Sequence, residues 1–135
     1  MNKIAIHQPN YIPWLGYFYK MNLVDYFVYF DSVQIPRGKS FVTRNRILTR
    51  QGPIWLTIPI MGKSELNAIK DVKIKAGNWQ RKHYKTLETN YGRCKGFEKW
   101  QPQLKEIYLN SEWKNLCDFN IALCDLICEA FEITT

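Results

Sequence analysis

The apolar and polar positions in the first third of the chain predict a strand, a helix and a second strand. Residues 3–6 form a short apolar strand that runs into a polar loop, and an aromatic helix is expected over 14–22. Residues 26–30 are five consecutive β-prone side chains, a pattern typical of a strand buried on both faces in a parallel sheet. The pattern therefore predicts a βαβ unit.

The pattern of the remaining chain predicts a β-hairpin followed by helices. Residues 40–49 and 54–60 are expected to pair around a turn at 51–53, and 69–74 is expected to be a short, partly exposed strand. Helices are predicted over 79–91, where His83 falls on a packed or edge position, and over 97–109. The fold class is therefore α/β, with an N-terminal βαβ unit, a mostly parallel sheet, a β-hairpin and three helices in the C-terminal half, within one domain spanning 1–135.

The third C-terminal helix, which Ser111 is expected to cap, is unusually apolar. Its main stripe repeats at helical spacing: Leu116, Phe119, Leu123, Ile127 and Phe131. Cys117, Cys124 and Cys128 also fall at helical intervals, which indicates reduced thiols packed on one face. Because apolar residues cover more than half of its circumference, we expect an exposed patch on this helix, with self-association or a partner bound through it.

Polar side chains follow both strands of the predicted βαβ unit. His7 and Gln8 follow the first strand, and Asp31 and Gln34 follow the second. In open α/β sheets ligands bind at the carboxyl ends of strands, so a site is expected there, with polar turn residues as the alternative. His7 is the candidate acid or base, because its ordinary pKa lies near neutrality, and Asp31 is the candidate to orient it. The candidate ligand-binding residues are Gln8, Asn10, Tyr11, Trp14, Gln34, Arg44, Asn45 and Arg46.

The charge distribution adds a possible anion site. The net charge is +7, and residues 36–64 hold six basic side chains and no acid before Glu65. Arg44 and Arg46 lie two apart in an alternating stretch, so a strand would place both on one face, where they could grip a phosphate or carboxylate. A solvated basic face explains the same pattern equally well.

The order of these residues resembles the WbqC-like family. The matching run is His7-Gln8-Pro9, Pro13-Trp14-Leu15-Gly16-Tyr17-Phe18, Asp31-Ser32-Val33-Gln34, Asn45-Arg46 and Trp55-Leu56-Thr57, and it continues through Trp79, Tyr91 and Phe97. The resemblance implies a place among bacterial genes for O-antigen and other surface polysaccharides. Family members are longer, so the chain is expected to correspond to the N-terminal part of the family architecture.

Three functional classes fit the sequence. The first is an enzyme, leaning towards a transferase, that acts on a nucleotide-activated sugar in polysaccharide biosynthesis, with acyl or aminoacyl transfer as the suggested reaction. The alternatives are an RNA- or nucleic-acid-binding module, and a non-catalytic half that pairs with another chain. The sequence leaves the cofactor unknown, and the cysteine spacing predicts no metal site. No membrane span or signal peptide is expected, which favours the cytoplasm. The expected partner is a phosphate-bearing small molecule such as a nucleotide-sugar, with nucleic acid a weaker candidate.

Overall fold

The computed structural model of the protein describes residues 1–135, apart from the side chains of Lys63 and Glu65. Its strands and α-helices are β1 (Ile4–His7), α1 (Leu15–Asn22), β2 (Tyr26–Tyr29), β3 (Arg44–Thr49), β4 (Gly52–Thr57), α2 (Trp79–Tyr91), α3 (Phe97–Lys105) and α4 (Leu116–Ala130). Short 3-10 helices lie at Gly62–Leu66 and Ile69–Asp71, and α3 continues into a π-helical turn at Glu106–Asn110. The molecule is a mixed α/β fold, as the sequence predicts.

The N-terminal βαβ unit is confirmed. Strands β1 and β2 pair in parallel, with Ile4 opposite Tyr26 and His7 opposite Tyr29. The backbone amide of Lys3 donates a hydrogen bond of 2.7 Å to the Asp25 carboxylate, which fixes the start of the pair. Since both strands run the same way, their carboxyl ends meet at one edge, and the residues that follow them lie near each other.

The expectation that the strand over 26–30 is buried on both faces is wrong. Alternate residues of β1 and β2 are exposed, because α1 and α4 cover only one face of the two-stranded sheet. The outer face, which we call the open sheet face, consists of Ile4, Ile6, Tyr26, Val28 and Phe30. A five-residue apolar run cannot reveal whether both of its faces are covered.

The predicted β-hairpin is confirmed, but it forms a separate antiparallel sheet of its own. Strands β3 and β4 pair with Arg46 opposite Trp55 and Asn45 opposite Leu56. Gly52 has a φ of 109°, a conformation that suits glycine and permits the tight connection after Thr49. The hairpin buries Ile47 and Leu56 and turns the Arg46 and Trp55 side outward.

Two predictions for the second half of the chain are wrong, and both concern segments that meet at the Lys73–Asn115 bridge. The expected strand over 69–74 is instead a 3-10 helix followed by isolated bridges, in which Lys73 pairs with Asn115 and Ile74 with Ile60. The segment before α4 is extended to meet Lys73, so α4 begins at Leu116 and is capped by Asn115, whose side chain accepts from the Asp118 amide at 3.1 Å. Ser111 instead donates to the Glu106 carbonyl and closes the π-helical turn.

Helix α4 joins two clusters of buried side chains. Phe119 and Leu123 pack in the larger core with the hairpin and α2, whereas Cys124 packs with Tyr17 and Phe18 beneath the parallel strands. The four cysteines are free thiols, and those of α4 are buried or half-buried, in agreement with the sequence prediction. Among the described residues no helix combines the length and apolar character that a bilayer crossing requires.

Candidate functional site

Two loops form the centre of the candidate site, and a buried asparagine holds them together. Asn120 of α4 is fully buried, and its side-chain amide donates to the carbonyls of Pro9 and Val42 at 2.9 and 2.8 Å. The Tyr11 amide donates to the Phe41 carbonyl at 2.9 Å, which links the same loops directly. The loop after β1 and the loop before β3 therefore form one rigid edge.

Asn45 supports a strained turn in the first loop. Ile12 has a φ of 41°, which is rare for a β-branched residue and costs on the order of 1–3 kcal/mol. The Asn45 amide donates to the Ile12 carbonyl at 2.7 Å and to the Tyr11 carbonyl at 3.3 Å. Strained backbone of this kind is concentrated at functional sites, and here it sets the direction in which Pro13 and Trp14 leave the loop.

Three exposed aromatic rings follow one another across these loops and the hairpin. We call Trp14, Phe41 and Trp55 the aromatic track: they are 50%, 50% and 42% exposed. The ring centroids of Trp14 and Phe41 lie 6.5 Å apart, and those of Phe41 and Trp55 lie 6.2 Å apart. Because these rings are about half exposed, part of their π surface is accessible from solvent and does not fill a core.

The two arginines lie at one end of the aromatic track. The guanidinium carbon of Arg44 lies 3.8 Å from the Trp55 ring centroid, and that of Arg46 lies 5.4 Å from it. The prediction that both share one strand face is therefore confirmed. Because the indole holds the planar guanidiniums by cation–π contact, the pair is partly pre-organised for an anion.

His7 lies at the opposite end of the aromatic track. Its ring centroid is 5.5 Å from that of Trp14 and 4.8 Å from that of Tyr17, and its Nδ1 is 2.6 Å from the Lys20 ammonium. Partial burial and, to a smaller extent, the Lys20 charge lower the pKa of His7 below its ordinary value. His7 is therefore neutral at physiological pH.

The expected contact between His7 and Asp31 is replaced by two separate pairs. His7 ends β1 and Asp31 follows β2 at the same sheet edge, but Asp31 faces the first turn of α4, where it accepts from the Cys117 thiol at 3.7 Å. Burial, followed by the Asp31 charge, raises the pKa of Cys117 to about 12, so this thiol remains protonated. His7 therefore contacts Lys20 of α1 and Asp31 contacts Cys117 of α4, so the two residues do not form the predicted acid–base pair.

The other predicted site residues are distributed between the core and a separate edge. Asn10 and Tyr11 are buried, and the Tyr11 hydroxyl lies 2.8 Å from both His83 Nδ1 and the Tyr108 hydroxyl, so it supports the loop from the core side. The Gln8 carbonyl accepts from the Tyr17 hydroxyl at 2.8 Å. Gln34 pairs with Ala68, beside the 3-10 helix at Ile69–Asp71. The structure therefore places His7 beside Trp14 at one end of the aromatic track and Arg44 and Arg46 at the other. Asn45 supports the loop that carries Trp14, while Asp31 and Gln34 lie with other partners.

Sequence reasoning missed four residues that the geometry brings in: Lys20, Phe41, Trp55 and Asn120. A signal was present for Trp55, because the predicted hairpin turn already sets it opposite the arginine strand. The other three depend on packing between distant segments. Within the described part of the chain, His, Cys, Asp and Glu side chains do not form a group of three or more that could hold a metal ion.

The comparisons with known proteins identify the family of the chain. The model of the WbqC-like protein family matches residues 8–135, which is essentially the whole chain. The chain belongs to the WbqC-like family. It is also 37% identical over 136 residues to a Mycobacterium tuberculosis protein named Uncharacterized protein Rv1507c.

The matched relative is considerably longer than this chain. The similarity covers 100% of the chain but only 58% of this relative, so the chain spans little more than half the length of the curated protein that it matches. No solved structure gives a significant match.

Proposed function

We propose that this WbqC-like protein is an enzyme of bacterial surface-polysaccharide biosynthesis that acts on a nucleotide-activated sugar, with acyl or aminoacyl transfer as its reaction. The observation that supports the proposal is the aromatic track, which runs from His7 at one end to Arg44 and Arg46 at the other. The place in polysaccharide biosynthesis follows from what the family resemblance implies.

The chemistry of the aromatic track suits such a ligand. Phosphate oxygens match the paired guanidiniums, which donate several hydrogen bonds in a fixed plane. Exposed Trp and Phe rings stack against a nucleobase or against the C–H face of a sugar ring. His7 would then meet the reacting end of the ligand, far from the phosphates. Only the sequence argues for Asp31 as a catalytic residue, because in the structure its carboxylate contacts Cys117.

Thermal unfolding in the presence of nucleotide-sugars, acyl-coenzyme A thioesters and folates tests this proposal. A true ligand stabilises the folded state by about 2.7 kcal/mol at a hundredfold excess over its Kd, which raises the melting temperature by several degrees. We expect a nucleotide-sugar to do so for the wild type but not for an Arg44→Ala, Arg46→Ala double variant. The Lys39→Ala, Arg50→Ala double variant, which removes the same charge from exposed positions, is the matched control.

Stabilisation that survives loss of both track arginines would contradict the assignment of the phosphate site. Stabilisation by acyl-coenzyme A or folate alone would contradict the nucleotide-sugar. Unfolding of the double variant without ligand would mean that the arginines serve the fold.

Nucleic-acid binding is the second candidate. It is favoured by the net charge of +7 together with aromatic rings that lie exposed beside basic side chains, a combination used by proteins that bind single strands. Pairing with another chain as a non-catalytic half is the third candidate. The salt dependence described in the Discussion separates the first two candidates.

A further inference from the structure

Lys20 reaches His7 from the second turn of α1. Its ammonium nitrogen lies 2.6 Å from His7 Nδ1, 5.8 Å from the Tyr17 ring centroid and 5.7 Å from the Phe27 ring centroid. The two rings place the cation over their π faces, and the hydrogen bond directs it at one nitrogen of the imidazole. This is a short contact between groups 13 residues apart, on different elements.

The direction of this hydrogen bond is set by chemistry. An ammonium group carries three N–H donors and no lone pair, so Lys20 can only donate. His7 Nδ1 must therefore be the acceptor, which leaves the single hydrogen of the neutral ring on Nε2. Most histidine tautomers cannot be assigned from heavy atoms, but a neighbour that can only donate removes the ambiguity.

We propose that Lys20 is a positioning residue that fixes His7 as the neutral Nε2–H tautomer, so that His7 meets its ligand as a hydrogen-bond donor. A neutral His7 held in this way has no free lone pair with which to take a proton from a ligand. Its partner is therefore an acceptor, such as a carbonyl or hydroxyl oxygen. The tautomer follows from the Lys20 contact alone, whereas the identification of the acceptor with a nucleotide-sugar rests on the proposed function.

The surroundings of His7 support this assignment. The groups that face its ring are the Lys20 ammonium, the Tyr17 ring, whose hydroxyl donates to the Gln8 carbonyl, and the Trp14 indole. None of these adds a negative charge that would favour a protonated imidazole. The lowered pKa of His7 has the same causes, namely partial burial and then the Lys20 charge.

Long-range proton–nitrogen NMR of the imidazole rings tests the proposal directly. The chain has only two histidines, so a His83→Gln variant assigns both sets of signals. For wild-type His7 we expect an unprotonated Nδ1, a protonated Nε2 and a pKa below 6.5. In Lys20→Met the pKa should rise and the tautomers should mix, whereas Lys20→Arg, which also only donates, should keep the wild-type tautomer.

Lys39→Met is the control, because it removes a lysine charge without touching the His7 ring. A hydrogen on Nδ1 of wild-type His7 would overturn the proposal. So would a Lys20→Met variant that is folded and leaves both the tautomer and the pKa of His7 unchanged. These outcomes need no ligand and are independent of the enzyme assignment.

Titration with UDP-glucose then tests the proposed function separately from the tautomer of His7. A change at Nε2 that saturates with UDP-glucose, and that is lost in Lys20→Met, supports His7 as a donor to this ligand. If wild-type His7 has the expected tautomer but its Nε2 does not respond to any nucleotide-sugar, the assignment of the Lys20–His7 pair stands. The proposed function would then be contradicted.

Discussion

The Tyr11 hydroxyl lies 2.8 Å from His83 Nδ1, a bond that joins the loop after β1 to α2 across 72 residues of sequence. The same hydroxyl lies 2.8 Å from that of Tyr108, and all three side chains are buried. The βαβ unit is therefore anchored to the helical half of the molecule through a polar network behind the candidate site.

This network predicts a specific loss of stability in acid. Burial lowers the pKa of His83 from 6.5 to about 4, against a smaller opposing effect of a backbone hydrogen bond with Thr57. The unfolded chain takes up this proton near pH 6.5, so it binds more protons than the folded chain as the pH falls towards 4. The stability that neutral His83 provides is complete above that window and is lost within it, by about 3 kcal/mol in total.

Urea unfolding of wild type and His83→Gln at several pH values measures this effect. We expect the variant to be less stable near neutral pH and the difference from wild type to shrink on acidification, since the carboxylates titrate in both proteins and cancel. A difference that stays constant between pH 6.5 and 4 would contradict the assignment.

The site loops predict a second loss of stability, at Asn45. Its side chain makes bonds to the Ile12 and Tyr11 carbonyls and accepts from the Arg46 amide at 2.8 Å. Asn45→Ala should lower the free energy of unfolding by about 3 kcal/mol, because three hydrogen bonds are lost and each contributes roughly 1 kcal/mol net. Asn45→Asp should cost nearly as much, since a carboxylate keeps the acceptor but cannot donate to the strained loop.

Exposed Asn22→Ala serves as the control and should lie within about 0.5 kcal/mol of wild type in chemical denaturation. If Asn45→Asp proves as stable as wild type, the two carbonyl contacts do not hold the Ile12 turn.

The accuracy of sequence reasoning depended on how local each feature is. The βαβ unit, the hairpin and α2 follow from short apolar runs, turn residues and a helical period, all of which lie within their own segments. The start of α4 could not be found in this way, because its position depends on pairing between Lys73 and Asn115. Ser111 has the right chemistry for a cap, but tertiary pairing extends the chain past it.

The candidate site shows the same division. The prediction that Arg44 and Arg46 share one strand face requires only strand alternation, and it is correct. The partner of His7 was expected to be Asp31 because both follow parallel strands, yet each side chain turns to a different covering helix. Lys20 carries no motif that points to His7, and its role depends on the angle at which α1 crosses the sheet.

Arginine geometry, as distinct from positive charge, can be tested by replacing both track arginines with lysine. The Arg44→Lys, Arg46→Lys variant keeps the net charge but loses the planar groups that stack on Trp55 and bind phosphate through two bonds at once. We expect affinity for a nucleotide-sugar to fall about tenfold, measured by calorimetry, with little change in melting temperature. Unchanged affinity would mean that charge alone attracts the ligand.

Salt dependence distinguishes a small ligand from a nucleic acid. Log affinity for single strands falls with log salt at a slope of about −0.7 for each phosphate contacted. A nucleotide-sugar offers two phosphates, so its slope should be shallow, and we expect any RNA binding to be lost near physiological ionic strength. Fluorescence anisotropy with a labelled oligonucleotide across a salt series measures this, and tight RNA binding that persists at about 0.15 M salt would favour the nucleic-acid module.

The final prediction concerns the open sheet face, where the structure corrects the expected location of the exposed apolar surface. On α4, Leu116, Phe119 and Leu123 are buried, and Phe131 is the large apolar side chain of that stripe that stays exposed. Ile6 and Val28, by contrast, lie side by side on β1 and β2, 59% and 45% exposed. Parallel strands are ordinarily covered on both faces, and an uncovered apolar face promotes association in water.

We therefore expect light scattering from the purified chain to show concentration-dependent association. An Ile6→Thr, Val28→Thr variant should reduce it more than Phe131→Glu does, because threonine keeps the β-branched shape that suits a strand and removes only apolar surface. Leu48→Thr, at a strand position on the hairpin that is 68% exposed, is the control. If Phe131→Glu abolishes association while the double variant has no effect, the contact surface lies at the end of α4, as the sequence alone suggests. A monodisperse wild type would contradict this prediction, because the open sheet face would then be exposed to water without causing association.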